Sequence, residues 1–365
     1  MSTRSPTQEF SRSWRLAAMA MASVRFVQGW IYWGGGSRRF IYAPSKLDPS
    51  ASQWMAYKFQ TAMPGALFGL DHIVSWLLQN FVWLYAGVIV FSLVELVAGA
   101  MLIVGAVTRV AAAASVCLSF VLMLLFGWQG ATCIDEWTMA ACNFAMGMTL
   151  LLAGGGAWSF DSWLARSRPS IGHARWFQWG GGATMLPLSD RAFARLAAIL
   201  LTVCMVFVVG TYSYFRGSVV TPYHSGPVSP TVHHWALSDA MVDAGQIRFQ
   251  AYINAGTPEA PSHIVQADLR DASGQIVQRW DAHALSQLGT QALGNDYAYQ
   301  KIHAGPYGLV GPVGAKATVA LPLVAAPSPS GAPWRLILYS VGGHDWSVPV
   351  SCGTSCISTA VPASR

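Results

Sequence analysis

The fold is decided by residues 81–151, which read FVWLYAGVIVFSLVELVAGAMLIVGAVTRVAAAASVCLSFVLMLLFGWQGATCIDEWTMAACNFAMGMTLL. The only charged residues in this stretch are Glu95, Arg109, Asp135 and Glu136. It holds three consecutive apolar segments near the roughly 20 residues that an α-helix needs to cross a hydrocarbon core about 30 Å thick. The stretch therefore predicts a protein that crosses the membrane several times.

The charge content of the chain changes near residue 212. Of the 365 residues only 10% are charged, and the mean hydropathy is +0.39, whereas soluble domains are nearer a quarter charged. The deficit falls before residue 212, and the remainder has the composition of a soluble domain. This predicts a membrane module followed by a water-exposed module. The pI of about 9.1 comes without a basic block, which argues against a nucleic-acid partner.

Apolar stretches of suitable length predict five membrane-spanning helices. They are residues 16–36, 81–107, 110–127, 137–153 and 192–212. The segment of residues 64–80 is apolar but short, and Asp71 and His72 interrupt it, so we expect an interfacial or re-entrant helix there. Arg and Lys are more frequent in the segments that a cytoplasmic N-terminus would place inside, so the positive-inside rule favours that orientation.

These patterns predict a multi-pass protein of the inner cell membrane and divide the chain into four parts. We expect a four-span domain at residues 1–165, a cytoplasmic linker at 166–191, an anchor helix at 192–213 and an extracytoplasmic, periplasmic domain at 214–365. Alternating or β-branched runs in the last part predict strands at Gln246–Asn254, His263–Leu269, Gln275–Trp280, Lys316–Val324 and Trp334–Val341. The predicted fold is a membrane all-α helical bundle of four helices plus one anchor helix, followed by an all-β, sandwich-like domain.

The six cysteines form two groups. Cys117 and Cys204 fall in the middle of predicted spans, where a free cysteine usually packs as a small apolar residue. The candidate catalytic cysteines map to the outer side and are Cys133, Cys142, Cys352 and Cys356. Disulfides are permitted there, and the two interpretations are structural disulfides, with Cys352–Cys356 holding the tail, or an exchangeable redox pair.

Buried charges suggest a second site, inside the predicted bundle. Arg25 and Glu95 are both expected near the membrane midplane, where they could pair. Gln28 lies about one helical turn from Arg25 and could bind a quinone carbonyl with it. The pair is either a structural ion pair or part of a quinone-head or proton-transfer site.

A cationic segment follows the first predicted span. Gly34-Gly35-Gly36 precedes Arg38 and Arg39, and Lys46 follows in the same loop. Glycines allow a ligand to approach the backbone, and adjacent guanidiniums favour a doubly charged oxyanion. The alternative is that these cations contact lipid phosphate.

The sequence has no zinc, haem or dinucleotide motif, and we expect no metal site. Any redox cofactor is then one that membrane helices can hold, which indicates a lipid-soluble quinone. Arg25, Gln28 and Glu95 are the candidate residues for binding it.

Several segments resemble a known membrane family. Residues 95–109, ELVAGAMLIVGAVTR, resemble the second-helix signature of the DoxX/DoxD family. The motifs that resemble its DoxD branch are Arg25-x-x-x-Gly29, Gly36-x-x-Arg39 and Tyr42-x-Pro44-x-Lys46-x-Asp48-Pro49. The segments that resemble DoxA are Asn254-x-Gly256-x-Pro258, Asn295-Asp296-Tyr297 and Ala317-Thr318-Val319-x-Leu321-Pro322. The two parts look fused in one chain.

The resemblance implies a thiosulfate:quinone oxidoreductase, which joins two thiosulfates into tetrathionate and passes electrons to membrane quinone. It carries over no catalytic residue set. The expected partners are thiosulfate, the lipid bilayer and a quinone (ubiquinone, menaquinone or a caldariella-type quinone), and a homo-oligomer is left open. Thiosulfate would attack an outer disulfide, and Arg38, Arg39 and Lys46 would offset the repulsion between two dianions. Two other functions use the same parts: a quinone-linked thiol oxidase for exported proteins, and a non-enzymatic membrane assembly protein.

Overall fold

The computed structural model describes residues 16–17, 19–130, 136–156, 158–325 and 331–352. Its helices are α1 (Ala22–Ser37), α2 (Met55–Ala62), α3 (Leu70–Gln79), α4 (Phe81–Val104), α5 (Thr108–Phe126), α6 (Glu136–Ala153), α7 (Phe160–Ser167), α8 (Pro169–Gly172), α9 (Arg175–Gly180), α10 (Asp190–Arg216) and α11 (Ala282–Ser286). Its strands are β1 (His234–Asp243), β2 (Gln246–Ala255), β3 (Ser262–Arg270), β4 (Ile276–Trp280), β5 (Leu293–Asn295), β6 (His303–Gly305), β7 (Gly308–Gly311), β8 (Lys316–Pro322), β9 (Trp334–Ser340) and β10 (Asp345–Cys352).

The chain forms two compact units that do not follow chain order. The helical unit contains Met1–Met55 and Val82–Gly226, and the β unit contains Ala56–Phe81 and Pro227–Arg365. Helices occupy all five positions predicted to span the membrane. Within the described residues, three of them, at Phe81–Val104, Thr108–Gln129 and Asp190–Arg216, are long and apolar enough by length and composition to cross it. The predicted order of an apolar helical region followed by an all-β domain is confirmed.

Glycines bring α1 and α4 into close contact in the helical unit. A Cβ added at Gly99 would lie 2.2 Å from the backbone nitrogen of Trp33, and one at Gly36 would lie 2.6 Å from that of Leu96. Gly29 faces Ile103 in the same way. Small residues at such positions let membrane helices pack backbone to backbone. The glycine run at the end of the first predicted span, residues 34–36, was expected to let a ligand approach the backbone. At Gly36 it instead allows close helix packing.

Asp161 holds the turn between α4 and α5. Its buried carboxylate accepts hydrogen bonds from the backbone N–H groups of Val107 (2.7 Å), Thr108 (3.0 Å) and Gly182 (2.8 Å). These donors include the first N–H of α5, which has no partner within the helix. Gly182 follows α9 and belongs to residues 166–191, which were expected to form a linker. Its hydrogen bond to Asp161 on α7 therefore fixes this segment to the bundle.

Arg109 fixes the same segment from the other side. Its guanidinium is 3% exposed and donates to the carbonyls of Leu151 (3.0 Å), Gly181 (2.6 Å) and Thr184 (2.7 Å), among others. A buried guanidinium is stabilised in this way by carbonyl oxygens at the ends of α6 and α9. The arginine at the end of the family-like signature therefore has a structural role.

The last long helix packs on α5 and α6 through aromatic side chains. The ring of Phe207 lies 4.6 Å from that of Phe120 and 5.3 Å from that of Phe144, between centroids. The indole N–H of Trp137 donates to the Thr211 hydroxyl at 3.1 Å. These contacts join the predicted anchor α10 to the four-helix bundle.

The β unit is built on one folded sheet. The strand order is β5-β8-β2-β1-β10-β9-β3-β7-β6, with β4 paired to β3. A parallel contact between β1 and β10 joins two antiparallel halves into a near-closed barrel or sandwich. Alternate residues of β2, from Ile247 through Ile253, point into the core. All five predicted strands are confirmed to within two residues at each end.

Residues 56–81 belong to this β unit although they precede most of the helical bundle in sequence. Gln60 is fully buried and its amide donates to the carbonyls of Gln300 (2.8 Å) and Gly314 (2.9 Å). Its carbonyl accepts from the Gln300 N–H at 2.8 Å. The hydroxyls of Ser75 and Tyr297 lie 2.8 Å apart. The short apolar helix predicted here is α3.

Candidate functional site

A buried ion pair joins Arg39 and Glu95 in the helical unit. Arg39 lies in the π-helical turn Arg38–Tyr42 that continues α1, and Glu95 lies within α4. The guanidinium contacts the carboxylate directly, and the two side chains are 15% and 8% exposed. The ring of Phe91 lies 5.5 Å from the guanidinium carbon, and the Ser92 hydroxyl is 3.4 Å from Nη1 of Arg39. A carboxylate that is costly inside a membrane helix is thus compensated by a residue from the neighbouring element.

The predicted pairing of Arg25 with Glu95 is wrong. Arg25 donates instead to the carbonyls of Gly155 and Trp158, the latter at 2.7 Å. Arg25 is the fourth residue of α1, so it lies near one end of this helix and not at its middle. At 1.5 Å per residue, the 14 positions from Arg25 to Arg39 span roughly 20 Å, and only Arg39 reaches the level of Glu95.

A ladder of buried polar side chains also crosses the bundle. The Tyr32 hydroxyl lies 2.7 Å from the Ser119 hydroxyl and 3.0 Å from the Ser115 carbonyl. The Gln28 amide donates to the Ser115 hydroxyl at 3.0 Å and to the Asn143 carbonyl at 2.7 Å. All five residues are at most 4% exposed. The ladder connects α1, α5 and α6.

Two acceptors of this ladder have no donor among the described residues. They are Oε1 of Gln28 and Oδ1 of Asn143, both buried. A buried carbonyl without a donor costs about 1–3 kcal/mol, so a polar ligand or water with N–H or O–H groups is favoured beside them. The predicted quinone-binding residue Gln28 therefore lies where a hydroxyl-bearing group would be stabilised.

Donors that a quinone carbonyl needs are present at Arg39. In the described part of the chain only Nη1 of its guanidinium is engaged, which leaves Nε and Nη2 as hydrogen-bond donors. Glu95 provides an adjacent carboxylate that can exchange a proton. Of the three predicted quinone residues, the structure brings Glu95 beside Arg39, while Gln28 lies deeper and Arg25 lies at the far end of α1. The residues around Arg39 fit a quinone head by their chemistry.

The predicted anion-binding residues differ in their surroundings, although Arg39 and Lys46 both act on the same carboxylate. Arg39 is paired with Glu95, Arg38 is exposed, and the charge of Lys46 acts favourably on the Glu95 carboxylate. The loop after Lys46 is ordered by Asp48, whose carboxylate accepts from the hydroxyl (2.6 Å) and the N–H (2.8 Å) of Ser50. These two hydrogen bonds hold the pKa of Asp48 below its usual value.

The cysteines fall partly outside the described structure. Cys133 and Cys356 lie beyond the described residues, and Cys352 is the last residue of β10, with its backbone paired to Val242. Cys142 is a free, exposed thiol on α6. Within the described ranges, no group of three or more His, Cys, Asp or Glu side chains is close enough to hold a metal ion.

The polar ladder is the part that sequence reasoning missed. Tyr32 follows Gln28 by four residues, and Ser119 follows Ser115 by four, which places each pair on one helix face. Polar residues repeated at this spacing inside apolar helices are a signal for a buried polar face. Asn143 in α6 gives the same signal as a single amide in an apolar segment.

Comparison with protein-family models gives two matches in this chain. Residues 21–182 match the family described as TQO small subunit DoxD, which covers the bundle and both predicted membrane sites. Residues 215–348 match the family described as TQO small subunit DoxA, which covers most of the β domain. Helix α10 lies almost wholly between the two matched regions.

Proposed function

We propose, since the chain belongs to the DoxD and DoxA families of TQO small subunits, that it is a membrane thiosulfate:quinone oxidoreductase. In this function two thiosulfates are joined into tetrathionate, and the two electrons released pass to membrane quinone. The observation that supports it best is the presence of both regions in one chain whose bundle holds a buried Arg39–Glu95 pair. Ionisable residues inside membrane helices commonly mark proton or substrate sites.

Arg39 and Glu95 are the proposed residues for quinone binding. A bound quinone would supply the acceptor for two electrons and two protons. Arg39 would donate hydrogen bonds from its unengaged Nε and Nη2 atoms, and Glu95 would hold or release a proton beside it. Gln28 lies about 16 Å along α1 from Arg39. Its unpartnered Oε1 would therefore accept a hydrogen bond from a hydroxyl or water at a separate, deeper position. Arg25, which binds backbone carbonyls about 20 Å along α1, would maintain the fold of the opposite end.

The outer cysteines are proposed to carry the sulfur chemistry. The outer sulfur of one thiosulfate attacks a disulfide, which forms a cysteine–thiosulfonate bond and releases a thiolate. A second thiosulfate attacks this adduct, tetrathionate leaves, and the second cysteine becomes a thiolate. Two electrons then reside on the dithiol. Cys352–Cys356 and Cys133–Cys142 are the candidate pairs, with Arg38 and Lys46 reducing the repulsion between dianions.

We propose that the N-terminus is cytoplasmic and that the β domain is periplasmic. The distribution of Arg and Lys supports this orientation. Ser273 lies in the exposed turn that joins β3 to β4, and a Ser273→Cys variant provides a label there. A membrane-impermeant thiol reagent should label the new cysteine in intact spheroplasts. Labelling only after lysis would indicate the opposite orientation, with the β domain in the cytoplasm.

The proposed function is tested in membranes that contain the protein and a defined quinone. Tetrathionate should form only when both thiosulfate and oxidised quinone are supplied. A thiol oxidase would instead reduce quinone with a dithiol protein substrate and leave thiosulfate unchanged. Tetrathionate formation in membranes without this chain would assign the activity to another protein. Cys133→Ser and Cys142→Ser variants, assayed in parallel, test the second cysteine pair.

A further inference from the structure

A cleft in the β unit lies beside the strand β5. Its volume is about 650 Å³, and its lining includes Thr290, Asn295, Asp296, Lys301 and His303. The loop of residues 296–302 forms one wall. None of these residues is used by the chemistry proposed above, and the cleft is far larger than the roughly 30 Å³ that one water occupies in the liquid.

The loop is closed on itself by Asn295. Its amide donates to the Ile302 carbonyl at 3.0 Å, and its carbonyl accepts from the Ile302 N–H at 2.7 Å. The N–H and the carbonyl of Ile302, the residue after Lys301, are thus both bound by one side chain. A side chain that binds backbone in this bidentate way restricts the backbone on both sides of it.

Gln60 closes the other side of the loop. Its amide group binds both the carbonyl and the N–H of Gln300, each at 2.8 Å. Ser75 holds Tyr297 in the same loop at 2.8 Å between hydroxyl oxygens. Lys301 therefore stands between two residues, Gln300 and Ile302, whose backbones are held by the side-chain amides of Gln60 and Asn295. Its position is set before any ligand arrives, which lowers the entropy cost of binding.

The charges around the cleft leave a net positive site. Lys301 is exposed and forms no ion pair within the described residues. The one carboxylate in the lining, Asp296, lies 3.5 Å from the ammonium of Lys316, which offsets its charge. His303 follows with Nδ1 placed 3.3 Å from the Lys301 carbonyl. Lys301, His303 and Thr290 supply an ammonium, an imidazole and a hydroxyl to this lining, and the lining contains no unpaired carboxylate.

We propose that this cleft binds a small, doubly charged sulfur oxoanion through Lys301 and His303. The inference rests on the proposed function, because it identifies where the soluble domain collects the anionic substrate. Hydrogen bonds to a charged partner are the stronger class, which favours an anion beside the Lys301 ammonium. The residues that position the loop, Gln60 and Ser75, come from the segment between the first two membrane helices. That segment and the β domain are therefore both needed to complete the site.

The test is equilibrium dialysis of radiolabelled thiosulfate against the detergent-solubilised full chain without quinone. Lys301→Gln should weaken binding roughly tenfold. Lys301→Arg retains the charge and should restore most of it. The matched control is Arg335→Gln, which removes one charge from an exposed position on β9 and should change binding less than about twofold. Each variant is compared with the wild type by thermal unfolding, so that only folded proteins are scored.

Competition distinguishes an oxoanion site from unspecific attraction. Sulfate should displace thiosulfate at concentrations where chloride, matched in ionic strength, does not. Equal weakening by Lys301→Gln and Arg335→Gln, or equal displacement by chloride, would overturn the site. If the wild type turns over thiosulfate while Lys301→Gln binds it normally, the inference fails and the proposed function stands. If Lys301→Gln abolishes binding in a chain with no turnover, the site stands and the proposed function fails.

Discussion

At the scale of single residues, Glu95 is the group whose partner matters most. Its carboxylate is 8% exposed and is compensated by Arg39. Removing one member of a buried pair leaves the other charge uncompensated and costs roughly 3 kcal/mol. We expect Glu95→Gln to lower the free energy of unfolding in detergent by about this amount, and the double change with Arg39→Gln to cost less than the sum of the two single changes.

Arg25 provides the control for this double-mutant cycle. It binds Gly155 and Trp158 and does not contact Glu95, so Arg25→Gln and Glu95→Gln should be additive within about 0.5 kcal/mol. A large coupling between Arg25 and Glu95, with strict additivity between Arg39 and Glu95, would contradict the pairing described above.

Sequence reasoning identified these ionisable residues but not their partners. The composition of α4 makes Glu95 conspicuous, because a carboxylate is rare in so apolar a segment. Its partner depends on where α1 begins and ends and on the π-helical turn at Arg38–Tyr42, and neither follows from periodicity. Gln28 was found as a candidate, whereas Tyr32 and Asn143 were not, because tyrosine and asparagine carry no charge that stands out.

At the scale of elements, the contact between α1 and α4 depends on the absence of side chains. A Cβ at Gly99 would lie 2.2 Å from a backbone atom of Trp33, whereas one at Gly34 would meet nothing within 4 Å. Gly99→Ala should therefore lower the free energy of unfolding by about 1–3 kcal/mol through overpacking. Gly34→Ala is the matched control and should be neutral or slightly stabilising, because alanine favours a helix. Equal melting temperatures for the two variants would exclude the close packing.

The loop of residues 296–302 depends on one amide from a distant segment. Gln60→Ala leaves the N–H and carbonyl of Gln300 without this partner, which costs about 1–3 kcal/mol of local stability. We expect trypsin to cleave after Lys301 roughly tenfold faster in this variant, because local opening exposes the loop. Gln53→Ala, at an exposed position, should leave the rate unchanged. An unchanged rate in Gln60→Ala would show that other contacts hold the loop.

The strands show which elements a sequence can predict. Five were located from alternation or β-branched enrichment, and in β2, β8 and β9 alternate residues lie in the core. Two long strands, β1 and β10, were missed for local reasons. In β1 the register shifts between Ser238 and Met241, and Asp239 takes a φ of +53°, which breaks the alternation. β10 contains Pro349, which normally argues against a strand, and it pairs with β1 at Ser351 and Cys352.

At the scale of the whole molecule, composition predicted a membrane module followed by a water-exposed one, and the alternating runs predicted that the second is all-β. What it could not predict is that residues 56–81 belong with the β domain. The contacts of Gln60 join residues more than 200 positions apart in sequence, and no local pattern reports such pairs. The family matches then connect both parts to one redox function.

The most direct test of the central claim is the stoichiometry of the purified full chain with thiosulfate and a soluble quinone analogue. The proposed function predicts that one tetrathionate forms and one quinone is reduced for every two thiosulfates consumed. Without quinone, thiosulfate consumption should stop after the protein's own oxidised cysteines are used. Quinone reduction that continues without tetrathionate formation, or tetrathionate formation that is independent of quinone, would contradict the account.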